Sequence, residues 1–524
     1  MKNKKNGFTL IELLAVIIVL AIIALIATPI IFNVIENAKL KSLENSCYGV
    51  IDGVRTNYAE GLLNSEDGTV KSKGNVTEIT VAGEQPIEGT WEIDNSSDSD
   101  NRGIKIKDVK FASMKDYTCT NVNSDGTINS KVTCTKGGNN DELTSEYTDN
   151  SGANKPVLFD NMVAIKYENN KWVVANTSEK WYDYDAKEWA NAVVLNSGVT
   201  KNVGDEVTEE EISLWYVWLP RYKYTIFNGN NGSADAQLIN VTFESGISRT
   251  GTVTCTDNAD GSETCSTITN GTSTYTHPAF KFGNTELTGF WVGKFEVSGS
   301  TSAITVKPNV TSLRSQTVSS FFTAIQNVKT TYGINNADSH MMKNMEWGAV
   351  AYLKQSKYGL GTTDIAINDN SSFYTGGGTS DAYKTNVAQS TTGNIYGVYD
   401  MSGGAWEYVM GNMNNSSNAF YSSNAGFATA PDAKYYDSYK YDLSSSTTHA
   451  RGKLGDATKE TLATFGSGTG GWYSDFAYFT ISGDSWFLRG GSYSNGTVAG
   501  VFYFNSIDGD GLSFGSARAV LSAQ

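Results

Sequence analysis

The chain has little with which to do chemistry. It holds 3 histidines in 524 residues, His277, His340 and His449, far apart and in different contexts. No cysteine follows Cys265, no CxxC pair occurs, and no HExxH, Walker-type loop or GxSxG elbow is present. Those gaps count against a zinc site, a phosphate-cradling loop and the common nucleophile arrangements. Charged residues make up only 18% of the chain, and basic residues are outnumbered 40 to 55, for a net charge of −15. Such a surface repels a phosphate backbone, so nucleic acid is not expected as a partner. Proline is scarce at 7 residues, whereas glycine reaches 52 and Ser, Thr and Asn crowd the sequence beyond the first thirty positions. That mixture predicts strands and turns on a neutral-polar surface, with few long helices. Hydrophobic residues at 39% and aromatics at 12% suffice for real cores in two or three units.

Four of the 5 cysteines fall into two local pairs. Cys255 and Cys265 flank TDNADGSET, and the alternating Val and Thr around them predict a hairpin. Cys119 and Cys134 bracket TNVNSDGTINSKVT in the same style. Disulfides closing such loops restrict the unfolded chain and persist in oxidising compartments. Cys47 is left over, and is expected to pack on the face of a helix.

Residues 1–40 read MKNKKNGFTLIELLAVIIVLAIIALIATPIIFNVIENAKL. Between Phe8 and Ile31 the only ionisable side chain is Glu12, a run long enough to cross a hydrocarbon core. Lys2, Lys4 and Lys5 precede it, which orients the N-terminus to the cytoplasm and the rest outward. An ordinary secretory signal would carry an A-x-A site after the run and no carboxylate inside it. The segment KKNG/FTLIELL instead resembles the cleavage and methylation motif of type IV prepilins and pseudopilins. The resemblance implies that a prepilin peptidase cuts after Gly7 and methylates Phe8. It further implies that Glu12 offsets the amine of a neighbouring subunit, and that Pro29 kinks the helix. Leu40, Leu43, Cys47, Val50, Val54 and Tyr58 then recur every three or four residues, an apolar stripe that predicts a continuing helix packed on a globular domain.

Residues 61–156 are polar, with strand-like pieces such as TEITVAG and KIKDVKF between turns, and fit a small β-rich pilin domain. From about 157 tryptophans and tyrosines appear at strand spacing. Trp172, Trp181, Trp189, Trp215 and Trp218 could form a sugar platform, but core packing is the stronger expectation.

Four later blocks stand out: GFWVGKFEVSG, HMMKNMEWGAVAYLKQSKYG, GNIYGVYDMSGGAWEYVMGN and FLRGGSYSNG. Together, in this order, they resemble the formylglycine-generating-enzyme-like fold, a variant of the C-type lectin fold. Asp400, Met401, Gly403, Trp406 and Glu407 stand in its most recognisable motif. Glu346 and Trp347 sit on an apolar-periodic helix through Leu353, with the following Lys and Gln expected to be exposed. The Gly403–Gly404 and Gly490–Gly491 pairs permit close backbone approach. Arg489 and Glu407 are expected to be buried and compensated. The cysteine pair and the histidine cluster on which the known chemistries of that family depend are missing, so no catalytic residue is expected.

The segment RGGSYSNGTVAGVFYFNSIDGDGLSFGSARAVL resembles the variable region of diversity-generating-retroelement receptors, which vary surface side chains on a fixed lectin-like scaffold. The scaffold would be Arg489, Gly490, Gly491, Ser492, Gly500, Phe502, Gly509 and Arg518. The ligand-facing positions would be Tyr493, Ser494, Thr497, Val498, Tyr503, Asn505, Ser506, Ile507, Asp508, Asp510, Leu512, Ser513 and Phe514. The closing Phe-Arg of that family is replaced here by Ala517-Arg518. Tyr with Ser, Asn and Gly is also a paratope mixture. A calcium ion held by Asp508 and Asp510, or by Asp257 and Asp260, is a weak alternative to plain DG turns. No metal or other cofactor is otherwise expected.

The expected fold class is α+β. It comprises a leader (1–7), a pilin helix (8–60, with 8–31 transmembrane), a β-rich pilin domain (61–156) and a lectin-like head (157–524). The expected function is a pilus-associated adhesin or minor pilin without catalysis. A major filament subunit stands second, and an enzyme of the formylglycine-generating-enzyme-like family third. Expected partners are prepilin peptidase, other pilin subunits through the helix, the membrane before assembly, and a protein or glycan on a cell, phage or host surface. The precursor would sit in the bacterial membrane, and the mature protein at the cell surface.

Overall fold

The computed structural model describes residues 39–523 apart from 40, 66–69, 94–102, 115–116, 123–127, 137–146, 230–231, 233, 252–254, 258–262, 266–268 and 444. The apolar run at 8–31 lies outside these residues, and no described helix is long and apolar enough to cross a membrane. The fold mixes helices with a majority of strands. The chain divides into two compact units, Met1–Thr144 and Ser145–Gln524. The division falls before the boundary expected at 156. Tyr147 packs edge-on against Tyr182 and Ala153 joins the second core, so this stretch belongs to the larger unit.

In the first unit a helix over 41–64, α1, packs on an antiparallel meander of five strands taken in chain order. The strands are Lys73–Asn75, Pro86–Ile93, Ile104–Phe111, Tyr117–Val122 and Ile128–Lys136. The stripe predicted on the helix is buried at Leu43, Cys47, Val50 and Val54, joined by Ile51. Tyr58 is half-buried, and Leu40 is outside the described residues. Tyr117–Val122 alternates buried and partly exposed side chains, the mark of a sheet with one face on a core and one in water. Gly89 holds a φ of +126° opposite a break in register, where a Cβ would meet the Val109 Cα at 2.7 Å. Only glycine fits that bulge.

The second unit is built differently. Its largest sheet has seven strands in the order Ala337–Met341, Ala519–Ala523, Gly289–Gly293, Ile212–Pro220, Asn191–Leu195, Met162–Glu168 and Lys171–Val174, each antiparallel to its neighbours. The last strand of the chain thus enters between two strands made far earlier. Every residue of Ile212–Pro220 is buried, and so is every residue of Gly289–Gly293. A strand without alternation is covered on both faces. The five tryptophans considered as a sugar platform belong to this core, none more than 5% exposed.

Helices α2 (Val318–Gln326), α3 (Val328–Thr331) and α4 (Asn344–Lys354) follow in this unit. All of α4 is buried, including Lys354, and so is Gln355 just beyond it, contrary to their expected exposure. The reason is that partners for both polar ends lie inside. Lys354 Nζ donates to Gln355 Oε1 at 3.0 Å and the Thr363 carbonyl at 2.8 Å, and Gln355 donates to the Tyr473 hydroxyl at 2.7 Å. Burial nevertheless pulls the Lys354 ammonium down to about 8. A second sheet joins Trp406–Met413 to Asp437–Tyr439, Trp486–Arg489 and Gly515–Ala517, with Phe504–Ile507 at its edge.

Candidate functional site

The segment that resembles a variable region leaves the second sheet at Arg489 and turns through Gly490 and Gly491, both at positive φ. A Cβ on Gly491 would meet the Ala499 Cβ at 2.7 Å, and one on Gly403 would meet the Asn368 carbonyl oxygen at 2.4 Å. The close approach expected of both glycine pairs is therefore present. Arg489, Ser492, Gly500, Phe502, Gly509 and Arg518 are all buried.

Beneath this segment lies a buried charge cluster. Arg518 lays its Nε on Glu407 Oε2 at 2.9 Å and its Nη2 on Glu407 Oε1, and reaches the carbonyls of Gly293 and Tyr399. Arg489, by contrast, meets no carboxylate in contact among the described residues; it donates to Asn344 and to the carbonyls of Asp456 and Ala457, and sits over Trp347. Glu296 accepts from the Ser312 hydroxyl and the Ala405 N–H. Burial drives its carboxyl well above the usual range, and the nearby Asp400 and Glu407 add to the rise.

On the outside of this scaffold the aromatic side chains gather. Tyr493 stacks on Phe514 at 6.0 Å between centroids and 11° between planes. Phe373 meets both edge-on, at 4.9 and 5.4 Å, and Trp406 leans on Phe514 at 5.9 Å. The guanidinium of Arg314 lies 3.8 Å over Phe373 and donates to the Ser513 carbonyl. Trp406 Nε1 donates to Asn495 Oδ1 at 2.9 Å, and the same oxygen receives the Ser492 N–H at 2.7 Å. Tyr493, Phe514 and Trp406 remain partly exposed, while Ser494, Thr497 and Ser513 are exposed. Partly wet aromatics with fixed rotamers and adaptable polar neighbours are the composition of a recognition surface.

The thirteen positions do not all join that patch. Tyr503 is 2% exposed, stacked on Phe476 at 5.5 Å, and so cannot meet a ligand as expected. The Tyr503 ring fills the space beneath the turn at Gly491. Asn505, Ser506 and Ile507 lie half-buried on the edge strand, and Val498, at the end of a 3-10 turn, and Leu512, in a loop, are half-buried too. Asp508 accepts from Asn424 Nδ2 at 2.6 Å and, at its other oxygen, from the Asp510 N–H at 3.3 Å. Asp260 is outside the described residues, as is the Asp257 side chain. Arg314 and the buried Phe373 support the patch although they precede Tyr493 by more than a hundred residues; no local pattern in the sequence marks them.

Each histidine is buried in its own setting. His277 contacts the Gly455 carbonyl at 2.9 Å, His449 the Ala477 carbonyl at 2.7 Å, and His340 lies between Asp338 and Glu346 at 3.2 and 3.0 Å. The disulfides join Cys119 to Cys134 and Cys255 to Cys265. The free thiol of Cys47 lies beside the first pair, its pKa pushed up to about 12 by burial and by Glu44. Those three sulfurs are the only trio of metal-type ligand atoms within 4.8 Å of one another among the described residues, and the disulfide occupies two of them.

Residues 2–28 match the prokaryotic N-terminal methylation motif. The chain begins with a prepilin-type signal, that of pilin-related secreted proteins whose membrane-anchored precursors become surface-exposed. Gly7, Phe8, Glu12 and Pro29 lie outside the described residues. The chain is also 37% identical over 78 residues to Prepilin peptidase-dependent protein A of Clostridium perfringens (strain 13 / Type A), covering 14% of this chain and 56% of that protein. It thus spans about half the length of the curated relative it matches.

Proposed function

We propose that the chain is a pilus-associated surface adhesin, a minor pilin whose second unit is a non-catalytic, lectin-like head. In this reading a prepilin peptidase cuts after Gly7 and methylates Phe8, and the N-terminal helix joins other pilin subunits with Glu12 meeting a neighbour's amine. The match of residues 2–28 to the methylation motif supports that half. The head would bind a protein or glycan through Tyr493, Phe514 and Trp406, with the buried Phe373 supporting the rings and Ser494, Thr497 and Ser513 at the rim.

The observation that carries the binding half is the division of one segment into buried scaffold and partly exposed aromatics. Arg489, Gly490, Gly491, Phe502 and Arg518 are locked inside, and the stacked Tyr493–Phe514 pair stands outside. Such a division allows surface positions to vary without loss of the fold. The absence of catalysis is supported by the separate engagement of the three histidines and by the lack of any cysteine after Cys265.

Protein and glycan arrays probed with the full chain test the head. Binding should fall about tenfold or more in Tyr493→Ala and Phe514→Ala. Equal binding by wild type and both variants would refute the assignment of this face.

A further inference from the structure

A cavity of about 900 Å³ opens in the second unit, and its lining shares no residue with the aromatic face. Four cations, Arg249, Lys281, Lys343 and Lys434, line it against two acids, Asp432 and Asp437. That balance reverses the one of the whole chain, where acids outnumber bases 55 to 40. Two of the cations are already engaged: Arg249 Nε with Glu286 at 2.5 Å, and Lys434 Nζ with Asp338 at 3.2 Å. The two acids are likewise turned to main chain. Asp437 accepts the Met345 N–H at 2.7 Å and Asp432 the Lys434 N–H at 3.1 Å.

Lys281 and Lys343 remain, with no carboxylate in direct contact among the described residues, although Lys343 acts at longer range on the carboxyls of Asp437 and Glu346. Lys281 is exposed, and Lys343 is only 7% exposed with its Nζ 5.7 Å from the centre of the Phe282 ring. A cation on a side chain this largely buried, at the wall of a cleft, gains from an anion brought to it. Two tyrosines complete the lining. Tyr275 is held by its hydroxyl, 2.7 Å from that of Tyr224, which in turn contacts Glu460 at 3.0 Å. Tyr436 is fixed edge-on against Phe420 at 4.9 Å and is partly exposed. Fixed aromatic rings beside cations suit a ring-shaped polar ligand with negative groups, at little entropy cost. Few apolar side chains line the cleft, Met345, Pro278 and Ala433 among them, which leaves an acidic peptide little to bury.

We infer that this cleft binds an acidic saccharide, a short glycan bearing carboxylate or sulfate groups, with Lys281 and Lys343 on the anion and Tyr275 and Tyr436 flanking the sugar. The inference does not depend on the aromatic face being a binding surface.

Calorimetric titration of the full chain in detergent tests it with four probes: a heparin tetrasaccharide, tetragalacturonate, neutral maltotetraose and a hexaglutamate peptide. At least one acidic saccharide should bind about tenfold more tightly than maltotetraose and the peptide, and weaken between about 50 and 500 mM salt. Heparin binding alone identifies sulfate as the recognised group, and tetragalacturonate binding alone identifies carboxylate. Lys281→Gln with Lys343→Gln should weaken binding about tenfold or more. Lys281→Gln alone, at an exposed site, should still weaken it about threefold. The proposal is overturned if neither acidic saccharide binds, if maltotetraose or the peptide binds equally well, or if the variants bind as wild type does.

Discussion

The two units solve the same problem with different means. The first rests one helix face on one sheet face, so its core is thin and its other faces are wet; a disulfide between Cys119 and Cys134 joins neighbouring strands of that sheet. The second buries strands on both faces and has room for whole charged side chains inside, among them Arg221, Lys294, Arg489 and Arg518. A small core cannot bear such charges, since each must be fully compensated. A large one can, and in return the charges fix the loops that rest on them. Arg518 ties Glu407 to the carbonyls of Gly293 and Tyr399, three separated parts of the chain.

The contrast breaks most sharply if Arg518 is not essential to the larger core. Arg518→Met leaves Glu407 buried without its cation, and should cost about 3–5 kcal/mol in the unfolding transition of the second unit alone. Calorimetric transitions that shift in both units, or in neither, would contradict this. The counterpart in the first unit is smaller. Replacing Cys119 and Cys134 with Ala removes a 15-residue closure, and the first transition should lose about 3 kcal/mol while the second stays in place.

A third test uses pH. Burial raises the Glu460 carboxyl from 4.5 to about 7, among the hydroxyls of Tyr224 and Tyr352. A folded-state pKa above the unfolded one gives stability that is complete below pH 4.5 and is lost as pH rises through about 7. Glu460→Gln lacks that loss, so its stability relative to wild type should rise by about 2–3 kcal/mol between those limits. His277, pushed down to about 3 by burial, has the opposite slope over part of the range but cancels in the comparison. Parallel stability curves for the two proteins would show that Glu460 ionises as it would in water. The smallest expected effect on folding is that of Tyr493→Ala, below about 1 kcal/mol, because the ring is partly exposed. A larger loss would make Tyr493 a structural residue.

Much of this was legible from local pattern. The helix stripe at Leu43, Cys47, Val50 and Val54 follows from spacing, and the cysteine pairs from the turns they bracket. The burial of the tryptophans follows from the size of the core they must fill. What escaped is long-range or concealed by residue type. Lys354 and Gln355 read as a polar helix end, yet the Thr363 carbonyl and the Tyr473 hydroxyl satisfy them inside. Tyr503 reads as a paratope residue, but the turn at Gly491 folds over it. Phe373 and Arg314 join Tyr493 only through the tertiary fold, which no period of 2 or 3.6 encodes.

The proposed function requires that the first unit be processed as a pilin and the second be carried with it to the surface. Mass spectrometry of the chain recovered from sheared cell-surface filaments tests that most directly. The account predicts an N-terminal peptide beginning with N-methylated Phe8. A chain that still carries Met1–Gly7, or one absent from the filament fraction, would contradict it.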